Sequence, residues 1–165
     1  MSQSYPLSLS SLSQREAIID AVNRALIGCD RFDTLIFNSA WAGEDVVFEI
    51  HDREKRVFEG LSSIHTYVFD KVGPMDTTHN ISAVRVDVQD GADTAHVTAT
   101  AMAQHCPPGR GKEPDGPKYT VGGQYFLDLV KDEAGQWKIT KWVLNVIWNQ
   151  GDPSVMAPPR QEKAE

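Results

Sequence analysis

Cysteine is scarce: Cys29 and Cys106 are the only two in 165 residues, and they form neither a CxxC pair nor a disulfide framework. Bases are outnumbered as well, 16 Lys and Arg against 23 Asp and Glu, for a net charge of -7. That deficit argues against nucleic acid or an anionic membrane as a partner, because both are bound through clustered positive charge. The densest basic run, Arg53, Lys55 and Arg56, is broken by Glu54 and flanked by Asp52 and Glu59, so it reads as a solvated hairpin. No apolar stretch approaches the ~20 residues of a membrane span. The first ten residues lack the basic and apolar regions of a signal peptide, and a cytoplasmic protein is expected.

What is present suits one domain. The chain is 41% hydrophobic and 24% charged, and long enough to bury a core without staples. Residues 1–11 are Ser-rich and without period, which predicts a loose arm. Ser13 and Glu16 match a capping box. Ile18, Ile19, Val22, Ala25, Leu26 and Cys29 then recur at helical spacing, with Asp30 extending the row of Val22 and Leu26. A short helix is expected over 33–40, a strand pair over 45–51 and 54–59, and a helix from Gly60 to Gly73-Pro74. Four strands follow, over 77–89, 93–105, 118–131 and 136–148. Asp90-Gly91 turns the first pair and Glu133-Ala134-Gly135 the second. Residues 106–117 hold four prolines and three glycines, hence an exposed loop. The tail 151–165 is polar and Pro-rich and is expected outside the core. Loop and tail are both expected to be mobile, one of them serving as a lid over the pocket rim.

Helices followed by long antiparallel strands indicate an α+β fold. Strands of this length curl, and Gly122-Gly123 gives one of them a place to bend. A cone-shaped antiparallel sheet with N-terminal helices on its concave face is therefore expected over 12–150. One strand face carries Ala95, Val97, Ala99, Ala101, Ala103 and His105. Its four alanines fit either a cavity or a closely packed helix. Tyr119, Val121, Gly123, Tyr125, Leu127 and Leu129 form an apolar face with two phenol tips, suited to a small-molecule site.

Asp30 and His79 are the candidate acid/base pair. A carboxylate beside an imidazole fixes its tautomer and compensates the charge gained on taking a proton. Such a pair needs no cofactor for elimination, isomerisation or aldol-type cyclisation. Asp30 fits a helix cap equally well. His105, Tyr119, Tyr125, Asn145, Trp41 and Trp142 are the candidate substrate-contacting residues. Asp30, His79 and His105 contain the donors of a two-His, one-carboxylate metal site, but no close-spaced ligand pair supports it and no metal is expected.

Several segments together resemble SnoaL-like proteins of the nuclear transport factor 2-like superfamily. They are Leu26-Ile27-Gly28-Cys29-Asp30-Arg31, Thr77-Thr78-His79, Ala103-Gln104-His105, Tyr119 to Tyr125, and Gly135-Gln136-Trp137-Lys138-Ile139. The resemblance implies a cone of curved sheet, and relatives that include polyketide cyclases, scytalone dehydratase, hexachlorocyclohexane dehydrochlorinase and fungal meroterpenoid isomerases. Asp30 and His79 match the Asp–His pair of the dehydrochlorinase-like pattern, and His105 the second histidine of the scytalone dehydratase pattern. Ala25 stands where the dehydrochlorinase has a lysine and Cys29 where scytalone dehydratase has a tyrosine, which counts against both of those reactions. The expected function is a cofactor-independent lyase or isomerase on a hydrophobic, oxygenated secondary metabolite. The alternative is a non-catalytic binding or dimerisation module of the same fold. A homodimer is expected before a trimer, paired through the sheet at Val84, Val86 and Val88.

Overall fold

A computed structural model describes residues 6–157. The ends of the expected arm and tail, 1–5 and 158–165, lie outside the described residues. Helix α1 (Gln14–Asp30) starts at the capping box: Ser13 accepts from the Glu16 N–H and Glu16 from the Ser13 N–H. Its apolar row of Ile18, Val22, Ala25, Leu26 and Cys29 is buried. Arg24 is buried among them, satisfied by Asp20 and by the Ser39 and Trp137 carbonyls. Helix α2 (Thr34–Ser39) is capped by Asp33, which accepts from the Leu35 and Ile36 N–H groups. Strands β1 (Val47–His51) and β2 (Lys55–Glu59) form a hairpin. Helix α3 (Leu61–Ile64) widens into a π-helical turn (His65–Phe69) and closes as α4 (Asp70–Val72).

The long strands are β3 (Asp76–Asp87), β4 (Thr94–Cys106), β5 (Tyr119–Lys131) and β6 (Trp137–Gly151), in one six-stranded sheet of order β2-β1-β6-β5-β4-β3. The α+β cone expected from the sequence is present, with one refinement: β1 pairs with β6 in parallel, so the sheet is mixed. A hairpin contributed early in the chain can add to the edge of β6 only in the direction its connection allows. The tail also differs from expectation. A 3₁₀ turn over Pro153–Met156 follows β6 and buries Val155.

Three register shifts decide which side chains face inward, one at Asp128–Leu129 that turns Ile139 into the core and two beside the cavity. Between Ser82 and Arg85, β3 spends three residues against two of β4, from Thr100 to Thr98, and Ala83 there has φ of 50°. This bulge exchanges the two faces of the strand. Thr77, His79 and Ile81 lie on the inner face before it, and Val84, Val86 and Val88 after it. The three valines therefore pack on or within the core, which removes them from the dimer surface expected for them. The second shift beside the cavity lies at Gly122-Gly123, where β5 changes register against β6. A Cβ on Gly122 would meet the Trp148 ring at 2.1 Å, and one on Gly123 the Asn145 carbonyl at 2.4 Å. Close approach explains both glycines.

The alanine face resolves into two parts. Ala95, Ala99 and Ala101 belong to the packed core cluster, and Ala101 and Ala103 line a cavity further along the same strand. The cavity reading of the small side chains holds at Ala101 and Ala103, while Ala95 and Ala99 are core.

Candidate active site

The cavity has a volume of about 260 Å³. Its walls come from β1 (Phe48, Ile50), the α3–α4 helix (Tyr67, Val68, Lys71, Val72), β5 (Tyr119, Val121, Tyr125) and β6 (Leu144, Val146). Pro153 and Met156 of the 3₁₀ turn complete it. The expected loop residues do not take part; the Asp76 carboxylate accepts from the Gly109 and Gly111 N–H groups and ties that loop back to β3. Of the two segments considered for a lid, the tail is the one at the cavity.

Asp30 does not cap α2, a task taken by Asp33. Instead its Oδ2 accepts the His79 backbone N–H at 2.8 Å, and its Oδ1 lies 2.6 Å from His79 Nδ1. Helix geometry explains the reach, since Asp30, the last residue of α1, continues the buried row of Val22 and Leu26 toward β3. A carboxylate on Nδ1 selects the tautomer with its proton there and leaves Nε2 as the base. His79 lines the cavity, and the pair is only partly exposed, with side chains 13% and 20% accessible.

His105 is on the same inner face as His79, two residues past its cross-strand partner Ala103, with ring centroids 5.5 Å apart. Its Nδ1 lies 2.9 Å from Thr77 Oγ1, directly opposite in the β3–β4 ladder. Burial, assisted by the neighbouring His79, pushes its pKa down to about 4, against a smaller opposite pull from Asp30. At neutral pH this imidazole is uncharged and serves as a hydrogen-bonding group. Burial, with the charge of Asp30 adding, lifts the Cys29 thiol to about 12 and also raises Tyr125 above its usual range. Both remain undissociated. Among the described residues no group of three His, Cys, Asp or Glu side chains could hold a metal ion.

The structure brings Asp30, His79, His105, Tyr119 and Tyr125 to one place. It does not bring the other three. Trp41 bridges to Ile139 and is buried behind the cavity, its ring 6.0 Å from that of Trp142. Trp142 packs edge-on to Tyr125 at 4.9 Å and supports the wall without lining it. Asn145 pairs with Gln124, an exposed residue on the outer face, so its side chain leaves the cone. Thr77, Tyr67, Arg56 and Lys71 are at the site without having been singled out by the sequence. A β2 alternation counted from Phe58 inward would have found Arg56; Thr77 shares the inner face of β3 with His79, and only the β3–β4 register sets it opposite His105.

Residues 10–143 match the SnoaL-like domain. The chain belongs to that family. A relative from Penicillium crustosum, "Terrestric acid biosynthesis cluster protein E", is 37% identical over 152 residues, 91% of this chain and 94% of the relative. Solved structures share the fold. A hexachlorocyclohexane dehydrochlorinase superimposes with a TM-score of 0.66 at 18% identity, over 89% of this chain and 95% of that one. A candidate scytalone dehydratase from Novosphingobium aromaticivorans gives 0.66 at 20%, over 83% and 86%. A nuclear transport factor 2-like protein from Salmonella enterica gives 0.61 at 18%, over 76% and 84%. No described helix of this SnoaL-like protein is long and apolar enough to cross a membrane.

Proposed function

We propose that this SnoaL-like protein is a cofactor-independent lyase or isomerase acting on a hydrophobic, oxygenated secondary metabolite of polyketide or meroterpenoid type. The observation that carries the reading is the Asp30–His79 pair at the wall of an apolar cavity, joined at 2.6 Å with Nε2 left as the base. His79 Nε2 takes a proton from a carbon acidified by an adjacent carbonyl. The neutral His105 and the Tyr119 hydroxyl bind the oxygen on which charge develops. The proton held on His79 then returns to another carbon, completing an isomerisation, or leaves with a hydroxyl as water, completing a dehydration. Attack of the carbanion on a second carbonyl gives a cyclisation instead, the resulting alkoxide taking the proton held on His79. The terrestric acid cluster membership of the Penicillium relative supports a secondary metabolite as substrate.

Gene deletion in the producing organism tests this and reveals the substrate in the same step. One precursor should accumulate, equal in mass to the missing product for an isomerase or heavier by one water for a dehydratase. Purified protein should convert that precursor without added cofactor. No conversion by the wild type would leave only a binding module, and conversion by the wild type and equally by Asp30→Asn would overturn the Asp–His mechanism.

A further inference from the structure

The mouth of the cavity holds two cations to which acid/base chemistry gives no task. Arg56 and Lys71 both line it, and Asp52 is the one carboxylate among the lining residues. Their position follows from the fold. Adjacent residues of β2 point to opposite faces. Lys55 goes outward and pairs with Glu49, Nζ to Oε2 2.8 Å. Arg56 stands opposite Ile50, itself a lining residue. On the helix, Lys71 follows Tyr67 by one turn and shares its face. The Tyr67 ring stacks on Phe58 of β2 with centroids 5.9 Å apart. That stack clips helix to hairpin and sets Arg56 and Lys71 on one rim. Neither has an ion-pair partner among the described residues, in a chain whose net charge is -7.

The cavity is therefore polarised. Its mouth carries an excess of positive charge, its middle is Ile50, Leu144 and Val146, and behind His79 lies the Asp30 carboxylate. An anion is attracted at the rim and repelled at the inner wall. A guanidinium presents paired donors that match a carboxylate, and an ammonium adds a second charge.

We propose that the ligand of this cavity is an amphiphile bearing one ionised carboxyl group, held at the mouth by Arg56 and Lys71 with its other end beside His79. This rests on the cavity being the substrate site and adds the substrate's charge and orientation. The basic hairpin, solvated by composition, thus has one member turned to the ligand.

Titration calorimetry with octanoate and 1-octanol, matched in chain length and differing in charge, tests it. Octanoate should bind ~10-fold more tightly than 1-octanol at low salt and lose that advantage at high salt. Arg56→Gln and Lys71→Gln should each weaken octanoate about fivefold, and leave 1-octanol unchanged. Lys55→Gln, which changes net charge equally on the outer face, should leave both probes unchanged. Equal affinity for the two probes, or an equal loss in Lys55→Gln and Arg56→Gln, overturns the proposal while binding of 1-octanol keeps the apolar site. Binding of neither probe overturns both.

Discussion

Asp30 holds His79 twice, by the ring and by the backbone: Oδ1 meets Nδ1 at 2.6 Å while Oδ2 accepts the main-chain N–H at 2.8 Å. The second contact anchors the end of α1 to β3, and the first one sets the proton on the imidazole. The two functions can be separated by substitution.

In Asp30→Asn, the amide oxygen can still accept the His79 N–H, but the amide nitrogen then faces Nδ1 and donates to it. That forces the proton to Nε2 and removes the base. The expected result is a nearly unchanged melting temperature with turnover down by ~10²–10⁴-fold, the usual worth of general-base catalysis. His79→Ala should lose a similar factor. The double variant should be little worse than either single one, because the residues act as a unit. Full turnover by Asp30→Asn, measured on the accumulated precursor, would sink the mechanism.

His105 makes the fold sensitive to acid. Its pKa is about 4 in the native protein against an ordinary 6.5, so between those values the unfolded chain binds a proton that the native chain refuses. Stability from this residue is complete above pH ~6.5 and is lost as pH falls toward 4, on the order of 3 kcal/mol in all. Urea unfolding at several pH values should show it as a steeper decline in the wild type than in His105→Asn, whose amide can still reach Thr77. Parallel declines would refute a neutral buried imidazole.

Ala103 distinguishes empty space from tight packing. Because it lines the cavity, Ala103→Leu should fill volume without lowering the melting temperature, while abolishing binding of 1-octanol and turnover. Were the position closely packed, the added carbons would destabilise by about 1–3 kcal/mol. Thermal melting alone separates the two outcomes.

Gly28 lets α2 approach the turn that carries Asp30. A Cβ there would lie 2.5 Å from the Phe37 backbone nitrogen and 2.7 Å from its Cα. Backbone cannot step aside cheaply, so Gly28→Ala should lower stability by roughly 1–3 kcal/mol despite alanine's better helix propensity. A variant as stable as the wild type in urea would show that α2 is free to shift.

Assembly is proposed as a homodimer, now through a different surface. Met102, Phe126, Ile147 and Trp148 are large, apolar and 44–58% exposed, on the outer side of the sheet that Val84, Val86 and Val88 do not share. Sedimentation equilibrium at micromolar concentration should give twice the 18.3 kDa chain mass, and Trp148→Glu should shift it toward monomer. A wild type sedimenting as a single chain would reject the pairing.

Local periodicity was enough to determine the capping box at Ser13, the buried row of α1, the small-residue face of β4 and the general order of helices before strands. These depend on neighbours a few residues away, where spacing alone decides which side chains align. The Asp30–His79 pair was legible for the same reason, as a carboxylate ending an apolar row and a histidine opening a strand. Whether Asp30 capped a helix or faced a cavity was not legible, because both uses place it at the same position in the sequence. The tertiary structure also decided the inward turn of Val84, the outward turn of Asn145, and the supporting role of Trp41 and Trp142. Each depends on strand register across the sheet. A one-residue bulge at Ala83 reverses every side chain beyond it, and which face of a strand meets the core is set by its partners across the sheet.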